Sequence, residues 1–389
     1  MRVAIDLSGL ARPGSGSDTY FRHLTLALAR EIAPLDDLVG FLNRFGSDSQ
    51  DAELPPVRVL ISRWPWRILG TLWGFGILSV DRLTGPVDVF HANDWTCPPL
   101  RKGRIVATVF DLAFERYPEL YPPDILRLHR RQLDCVRRRA SAVVAISAHT
   151  KEDLRAAWGA EKTPEIRVIH PAGDPIYAEA RNLEAERELR ARLGLPEEYL
   201  LYLGTSAPRK NLPRLVRAYA LARQAGVRSP LVIAGSTGLV SGMPIHGSHS
   251  WDARQVSDAI LARGLEGSVL VTGHLARADA AHLMRGARAF VFPSLYEGFG
   301  LPVLEAMSAG VPVIASSTSA LPEVGGDAIL YVDPTNEESI ADAIVRVDGA
   351  AELRRDLAAR GLRRSGKFSW AATARETLAF YRDLVGETR

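Results

Sequence analysis

Phe292-Pro293-Ser294-Leu295-Tyr296-Glu297-Gly298-Phe299-Gly300-Leu301-Pro302-Val303-Leu304-Glu305-Ala306-Met307 decides the reading of this chain. A strand pattern ends at Phe292 and a glycine-bearing loop follows. Pro302 suits the first residue of a helix that stops at Gly310, because a missing N–H costs nothing in the first turn. The amides of Phe299, Gly300 and Leu301 would then be unpaired donors at the helix start, with the positive end of the helix dipole behind them. Such a start binds anions and suits a diphosphate. Two carboxylates flank it: Glu297 lies in the loop and Glu305 on the first turns of the helix. One of them can reach a sugar hydroxyl while the other reaches a ribose diol.

The same strand-to-helix grammar occurs upstream, in Leu203-Gly204-Thr205-Ser206-Ala207-Pro208-Arg209-Lys210-Asn211-Leu212. Arg209 and Lys210 are adjacent cations at a helix start, where a departing diphosphate needs its charge neutralised. No acidic metal cluster is evident, so these cations can do what a divalent ion does elsewhere, and no metal and no cofactor are expected. A solvated basic helix start is the plainer alternative. A third glycine-rich turn, Gly9 to Asp18, links the first strand to the first helix. Gly14 and Gly16 are its candidates for close backbone approach to a ligand, and an ordinary βα turn is as good an account.

Around these segments, short β-branched runs alternate with helical stretches. Val3–Ile5, Val57–Ile61, Val87–Phe90, Ile105–Val109 and Ala142–Ile146 read as strands, and the pattern restarts at Tyr199–Leu203, Leu231–Ala234, Val269–Val271, Ala289–Phe292 and Val311–Ile314. Near-continuous apolar runs fit strands buried on both faces of a parallel sheet, so the fold class is α/β with two doubly wound units in tandem. The Pro- and Gly-rich stretch after Val168 marks the junction. It divides the chain into a first domain at 1–170, a linker region at 171–198 and a second domain at 199–370, with a closing helix within 371–389 that packs back on the first. Units of this kind bind ligands at the carboxyl ends of their strands. The Gly/Ser-rich stretch Ser236 to Ser250 reads as a long loop, a lid or a disordered insertion.

Composition agrees. The 389 residues are 47% hydrophobic and 24% charged, enough for two cores. A net charge of +3 gives no case for nucleic acid. Cys97 and Cys135 belong to no Cys-x-x-Cys pair, which speaks against a disulfide framework or zinc site and fits a cytoplasmic setting. The chain enters a strand pattern at once, so no secretory leader is expected, and the longest apolar stretch, Ile68 to Val80, is too short to span a membrane.

The stretch from Glu297 to Glu305 resembles the E-x7-E motif of the family-four class of retaining glycosyltransferases, and the segment around Arg209 and Lys210 looks like its Gly-Thr-x-x-Pro-Arg-Lys-Asn element. Many members carry Glu where Ala207 stands. The resemblance implies a GT-B fold, two Rossmann-like domains facing across a cleft. The first would be the acceptor domain and the second the donor domain. It implies transfer of a sugar from a nucleotide-diphosphate sugar to a glycan, lipid-linked or small-molecule acceptor, with retained configuration and no metal. By that resemblance Glu297 contacts the donor sugar, Glu305 contacts the ribose, and Arg209 and Lys210 stabilise the departing diphosphate. Thr205, Gly298, Phe299, Gly300 and Leu301 join the donor site, and the Gly14–Gly16 turn faces the diphosphate.

One departure stands out. Thr108-Val109-Phe110-Asp111-Leu112 looks like the family's Val-His-Asp-Leu segment, with Phe110 where the usual His lies near the reaction centre. A Phe neither hydrogen-bonds nor takes a proton. Either Asp111 or another group substitutes, or the donor sugar lacks the hydroxyl that the His would contact, as a deoxysugar does, or catalysis is weak. Asp111 also reads as a simple cap. His91, at a strand end, is a candidate for the acceptor or sugar side or a satisfied buried His. A nucleotide-sugar epimerase on the same fold and a non-catalytic binding subunit are the rivals.

Two further clusters stay open. Six arginines, Arg127 to Arg139, share one helix with His129, and Trp64, Trp66, Trp73 and Phe75 lie near Arg63 and Arg67. They suit peripheral contact with the inner face of a membrane or a lipid-linked acceptor, or else a solvated basic helix and ordinary core aromatics.

Overall fold

The computed structural model describes residues 1–11, 16–33, 36–44, 54–93, 97–159, 163–235, 239–240, 243–244 and 253–386. The chain divides into two compact units, Met1–Ala172 with Phe368–Arg389, and Gly173–Lys367.

In the first unit, the described strands are β1 (Arg2–Asp6), β2 (Asp37–Asn43), β3 (Arg58–Ser62), β4 (Val89–Ala92), β5 (Arg104–Val109), β6 (Ala142–Ala145) and β7 (Glu165–Val168). They form one sheet in the order β3-β2-β1-β4-β5-β6-β7, and every pairing in it is parallel. Its helices are α1 (Gly16–Glu31), α2 (Trp66–Gly74), α3 (Asp81–Thr84), α4 (Ala113–Arg116), α5 (Pro123–Arg139) and α6 (Ala148–Trp158). The middle residues of the central strands are mostly apolar, and Val3, Ala4, Ile5, Val89, Phe90, Val106 and Ala107 are fully buried. That is the signature of a sheet covered on both faces.

β2 escapes a sequence reading because Gly40 interrupts its pattern. A Cβ at Gly40 would lie 2.5 Å from Leu7 Cδ1, so glycine there makes room for the turn after β1. Gly9 is under the same constraint, since a Cβ there would lie 2.1 Å from Asn93 Nδ2. β7 sits at one edge of this sheet, and it too went unread, being charged and half exposed.

The second unit follows the same plan with β8 (Leu200–Leu203), β9 (Leu231–Ala234), a two-stranded antiparallel ladder of β10 (Leu239–Val240) and β11 (Met243–Pro244), β12 (Val269–Gly273), β13 (Ala289–Phe292), β14 (Val313–Ser316) and β15 (Leu330–Val332). The parallel sheet runs β12-β9-β8-β13-β14-β15. Its helices are α7 (Leu183–Leu193), α8 (Leu212–Gln224), α9 (Ala253–Ala262), α10 (Arg277–Gly286), α11 (Leu301–Ser308), α12 (Leu321–Gly325), α13 (Glu337–Gly349) and α14 (Ala351–Ser365). The ladder of β10 and β11 lies inside the stretch expected as a loop at 236–250, most of which falls outside the described residues.

The closing helix α15 (Trp370–Val385) belongs to the first unit and packs on α1. Phe380 and Tyr381 are fully buried there, and the Arg167 guanidinium lies 4.2 Å above the Phe380 ring. Ser369 caps α15 through the Ala372 amide, and Thr373 Oγ1 donates to the carbonyl of His170 at 2.7 Å.

The segment expected as a linker, 171–198, is instead part of the second unit from Gly173 onward. Asp174 forms a two-pronged ion pair with Arg277, Arg285 Nη1 donates to Ile176 O at 2.6 Å, and Arg192 pairs with Asp279 at 2.6 Å. The Pro and Gly residues there mark a turn held by side chains of α10. Composition alone could not separate that from a tether.

Candidate functional site

β8 and β13 are neighbours in the second sheet, so the loops leaving their carboxyl ends meet. The meeting is explicit in the backbone, where the Leu295 amide donates to Arg209 O at 2.7 Å. Asn211 clamps the pair. Its backbone is left-handed, with φ 64°, which Asn tolerates better than most residues. Its Nδ2 donates to Pro293 O at 2.9 Å and to Pro334 O at 2.7 Å. Asn211 entered the sequence reading only as part of a motif, and its structural role is seen only here.

This geometry brings the two adjacent cations onto Glu297. Lys210 Nζ lies 2.6 Å from Glu297 Oε1, and Arg209 Nη1 lies 3.2 Å from Oε2 and donates to Tyr296 O at 3.2 Å. Lys210 Nζ also sits 4.9 Å from the Phe292 ring centroid. Glu297 and Lys210 are buried, and Arg209 is partly exposed. Burial by itself would raise the Glu297 carboxyl, but the charges of Lys210 and Arg209 outweigh it and hold the group below the usual range, so it is ionised. The Glu297 amide donates to Ser319 Oγ at 3.0 Å, and Ser319 is itself left-handed, with φ 57°. No sequence signal marks Ser319, because it arrives from the loop after β14.

Gly298 and Phe299 are buried in the loop that follows, and α11 opens at Leu301. Pro302 is the second helical residue, one place later than expected. Gly300 precedes the helix with φ 103°, and a Cβ there would lie 2.5 Å from Leu321 Cδ2, so glycine is required twice over. Thr205 is exposed at the end of β8, its carbonyl accepting from Tyr202 Oη at 2.9 Å.

Glu305 is buried four residues into α11 beside Gly173, whose position leaves 3.4 Å between an added Cβ and Glu305 Cγ. Burial, with the Asp174 carboxylate adding to it, pushes the Glu305 carboxyl up to about 8 from 4.5. Asp174 and Arg277 therefore belong to the surroundings of Glu305. Neither carries a local sequence signal, since Asp174 lies in a Pro- and Gly-rich turn and Arg277 opens α10, 103 positions further on.

The first-unit candidates are placed differently. His91 ends on β4 with no exposure; its Nδ1 lies 2.5 Å from Tyr381 Oη and its Nε2 lies 2.7 Å from Thr108 Oγ1. Burial lowers its pKa to about 3. His91 is thus a core residue with both ring nitrogens engaged, the second of the two readings open from the sequence. Its partner on α15 is 290 positions away and carries no local signal. Asp111 accepts from the Ala113 amide at 3.0 Å, capping the turn into α4. Phe110 packs edge-on against Tyr20, with centroids 5.2 Å apart, and lies 6.1 Å from Phe21. Gly16 is the exposed first residue of α1, and Gly14 lies outside the described residues. Among the described residues, no group of three His, Cys, Asp or Glu side chains is arranged to hold a metal.

Known structures share this fold along the whole chain. A sucrose-phosphate synthase from Thermosynechococcus elongatus matches with a TM-score of 0.76 at 22% identity, covering 100% of both chains. HepE from Anabaena, solved with UDP-glucose, matches with a TM-score of 0.72 at 18% identity over 98% of this chain and 100% of that one. The two parallel-sheet units are those of the GT-B class. In sequence, the glycosyl transferases group 1 model matches residues 185–364 and the glycosyltransferase family 4 model matches residues 15–175. The O-antigen chain mannosyltransferase B of Escherichia coli is 30% identical over 299 residues, covering 76% of this chain and 74% of that protein. The chain belongs to the group 1, family 4 glycosyltransferases, and it is a glycosyltransferase.

Proposed function

We propose that the second unit binds the diphosphate of a nucleotide-sugar donor, and that the sugar passes to an acceptor hydroxyl with its anomeric configuration retained and without a metal ion. The observation that carries this is the convergence of Arg209 and Lys210 on Glu297, one short loop before α11. Two cations and one carboxylate converge there next to a helix start, a setting of fixed charges and amide dipoles in which a departing diphosphate is stabilised. Glu297, kept ionised, orients a donor hydroxyl as an acceptor of its hydrogen bond. Glu305 takes the ribose diol. With no protein nucleophile in this constellation, the departing phosphate oxygen itself takes the acceptor proton, and positioning with electrostatics lowers the barrier.

The Escherichia coli relative is named for O-antigen chain mannosyl transfer, and the Anabaena structure holds UDP-glucose. The first favours a glycan acceptor in polysaccharide synthesis, and the second a nucleotide-sugar donor.

The deciding experiment is a thermal-shift screen of nucleotide sugars, followed by product analysis with the stabilising donor. A product whose anomeric proton coupling matches the donor supports the proposal. An inverted product, or a donor that stabilises Glu297→Gln and the parent equally while turning over equally in both, overturns it.

A further inference from the structure

Ten large apolar side chains stand exposed among the described residues, and six of them lie between positions 61 and 77: Ile61, Trp64, Trp66, Ile68, Phe75 and Ile77. Phe75 and Ile77 are 79% and 63% exposed, an unusual concentration for a surface that stays in water. The expectation of ordinary core aromatics holds for Trp73, which packs against Phe41, and fails for Trp64, Trp66 and Phe75.

The patch is built. Leu69 and Trp73, one turn apart, bury the inner face of α2, so Ile68 and Arg67 are left outward. Trp64 is held by a buried side chain: Asn43 Nδ2 donates to Trp64 O at 3.1 Å and Asn43 Oδ1 accepts from Trp64 N at 3.3 Å. The neighbouring charge is positive. Arg63 and Arg67 are exposed within the patch. Arg139 Nη2 donates to Gly74 O at 3.1 Å, which brings the last turn of α5, with Arg137 and Arg138 against the single carboxylate of Asp134, beside the end of α2.

We propose that this face docks on an anionic lipid bilayer, with Trp64, Trp66, Phe75 and Ile77 entering the headgroup boundary and Arg63 and Arg67 meeting the lipid phosphates. Arginines interleaved with tryptophans suit that boundary, where indole rings and guanidinium groups both find partners. The contact is peripheral, since no described helix is long and apolar enough to cross a membrane.

Cosedimentation with large vesicles tests this, using the whole chain. Binding is expected to vesicles of phosphatidylcholine with equimolar phosphatidylglycerol, weaker in high salt, and not to phosphatidylcholine alone. The variant Trp64→Ser/Phe75→Ser/Ile77→Ser, and separately Arg63→Glu/Arg67→Glu, should each lower the partition coefficient about tenfold or more. Phe75→Ser alone, at the most exposed site, serves if the triple variant melts early. No binding to the anionic vesicles overturns the proposal. So does unchanged binding by the folded apolar variants, or a dimer in solution that those same variants dissolve.

Discussion

Lys210 Nζ and Glu297 Oε1 lie 2.6 Å apart, although 87 positions separate the residues in the chain. The contact exists because β8 and β13 are adjacent and parallel, so their carboxyl-end loops share one place. A cation from one loop and an anion from the other are buried together, and each depends on its partner for solvation.

That dependence sets the first prediction. Glu297→Gln keeps the size of the side chain and removes its charge, and turnover should fall by about 10²- to 10³-fold. Lys210→Ala should fall similarly and also lower stability, by about 3–5 kcal/mol, because Glu297 loses its nearest cation in a buried site. Steady-state rates and thermal melts check both; near-parent rates in the two variants would reject this as the donor site.

Glu305 predicts a pH dependence. Its folded pKa, about 8, is raised above the ordinary 4.5, so between these values the folded state holds a proton that the unfolded state has released. Stability from this group is complete below about pH 4.5 and is lost as pH rises through about 8. Glu305→Gln should therefore gain stability relative to the parent as pH increases across that window. Melting temperatures of the two proteins from pH 4.5 to 8.5 measure it, and parallel curves would refute it.

His91→Ala should destabilise the first unit by about 2–4 kcal/mol, through a cavity and the orphaned hydroxyls of Tyr381 and Thr108. Because the ring is in the core, the rate of whatever fraction stays folded should be unchanged at a permissive temperature. A large loss of turnover without a loss of stability would return His91 to the site.

Gly300→Ala places a Cβ on a backbone of φ 103° and against Leu321. It should cost about 1–3 kcal/mol and weaken donor binding by displacing the start of α11. Calorimetry of donor binding beside a thermal melt checks both effects together.

Activity in excess chelator should equal activity without it, if Arg209 and Lys210 do the electrostatic work of a divalent ion. Loss on chelation, restored by magnesium or manganese, would show otherwise.

Much of the second unit was legible in the sequence because its signals are local. A proline shortly after a glycine-bearing loop marks the start of α11 to within a residue, and adjacent basic residues before Asn211 mark a charged helix start, whatever the rest of the chain does. Continuous apolar runs fixed most strands. β2, β7 and β15 were missed; Gly40 breaks the first of these, and the other two are short edge strands only partly buried.

What the sequence determined by itself was the alternation of elements, the two carboxylates and two cations, and the glycine-bearing loop before a proline-started helix. The tertiary structure alone decided that Lys210 closes on Glu297, that His91 faces Tyr381 in the core, that the segment after Ala172 packs under α10, and that Trp64 and Phe75 stand outside while Trp73 lies within. Backbone preferences act over a few residues and can be read in order. Burial and charge pairing depend on which distant segments the sheet order brings together, and that order is set by the packing of the whole unit.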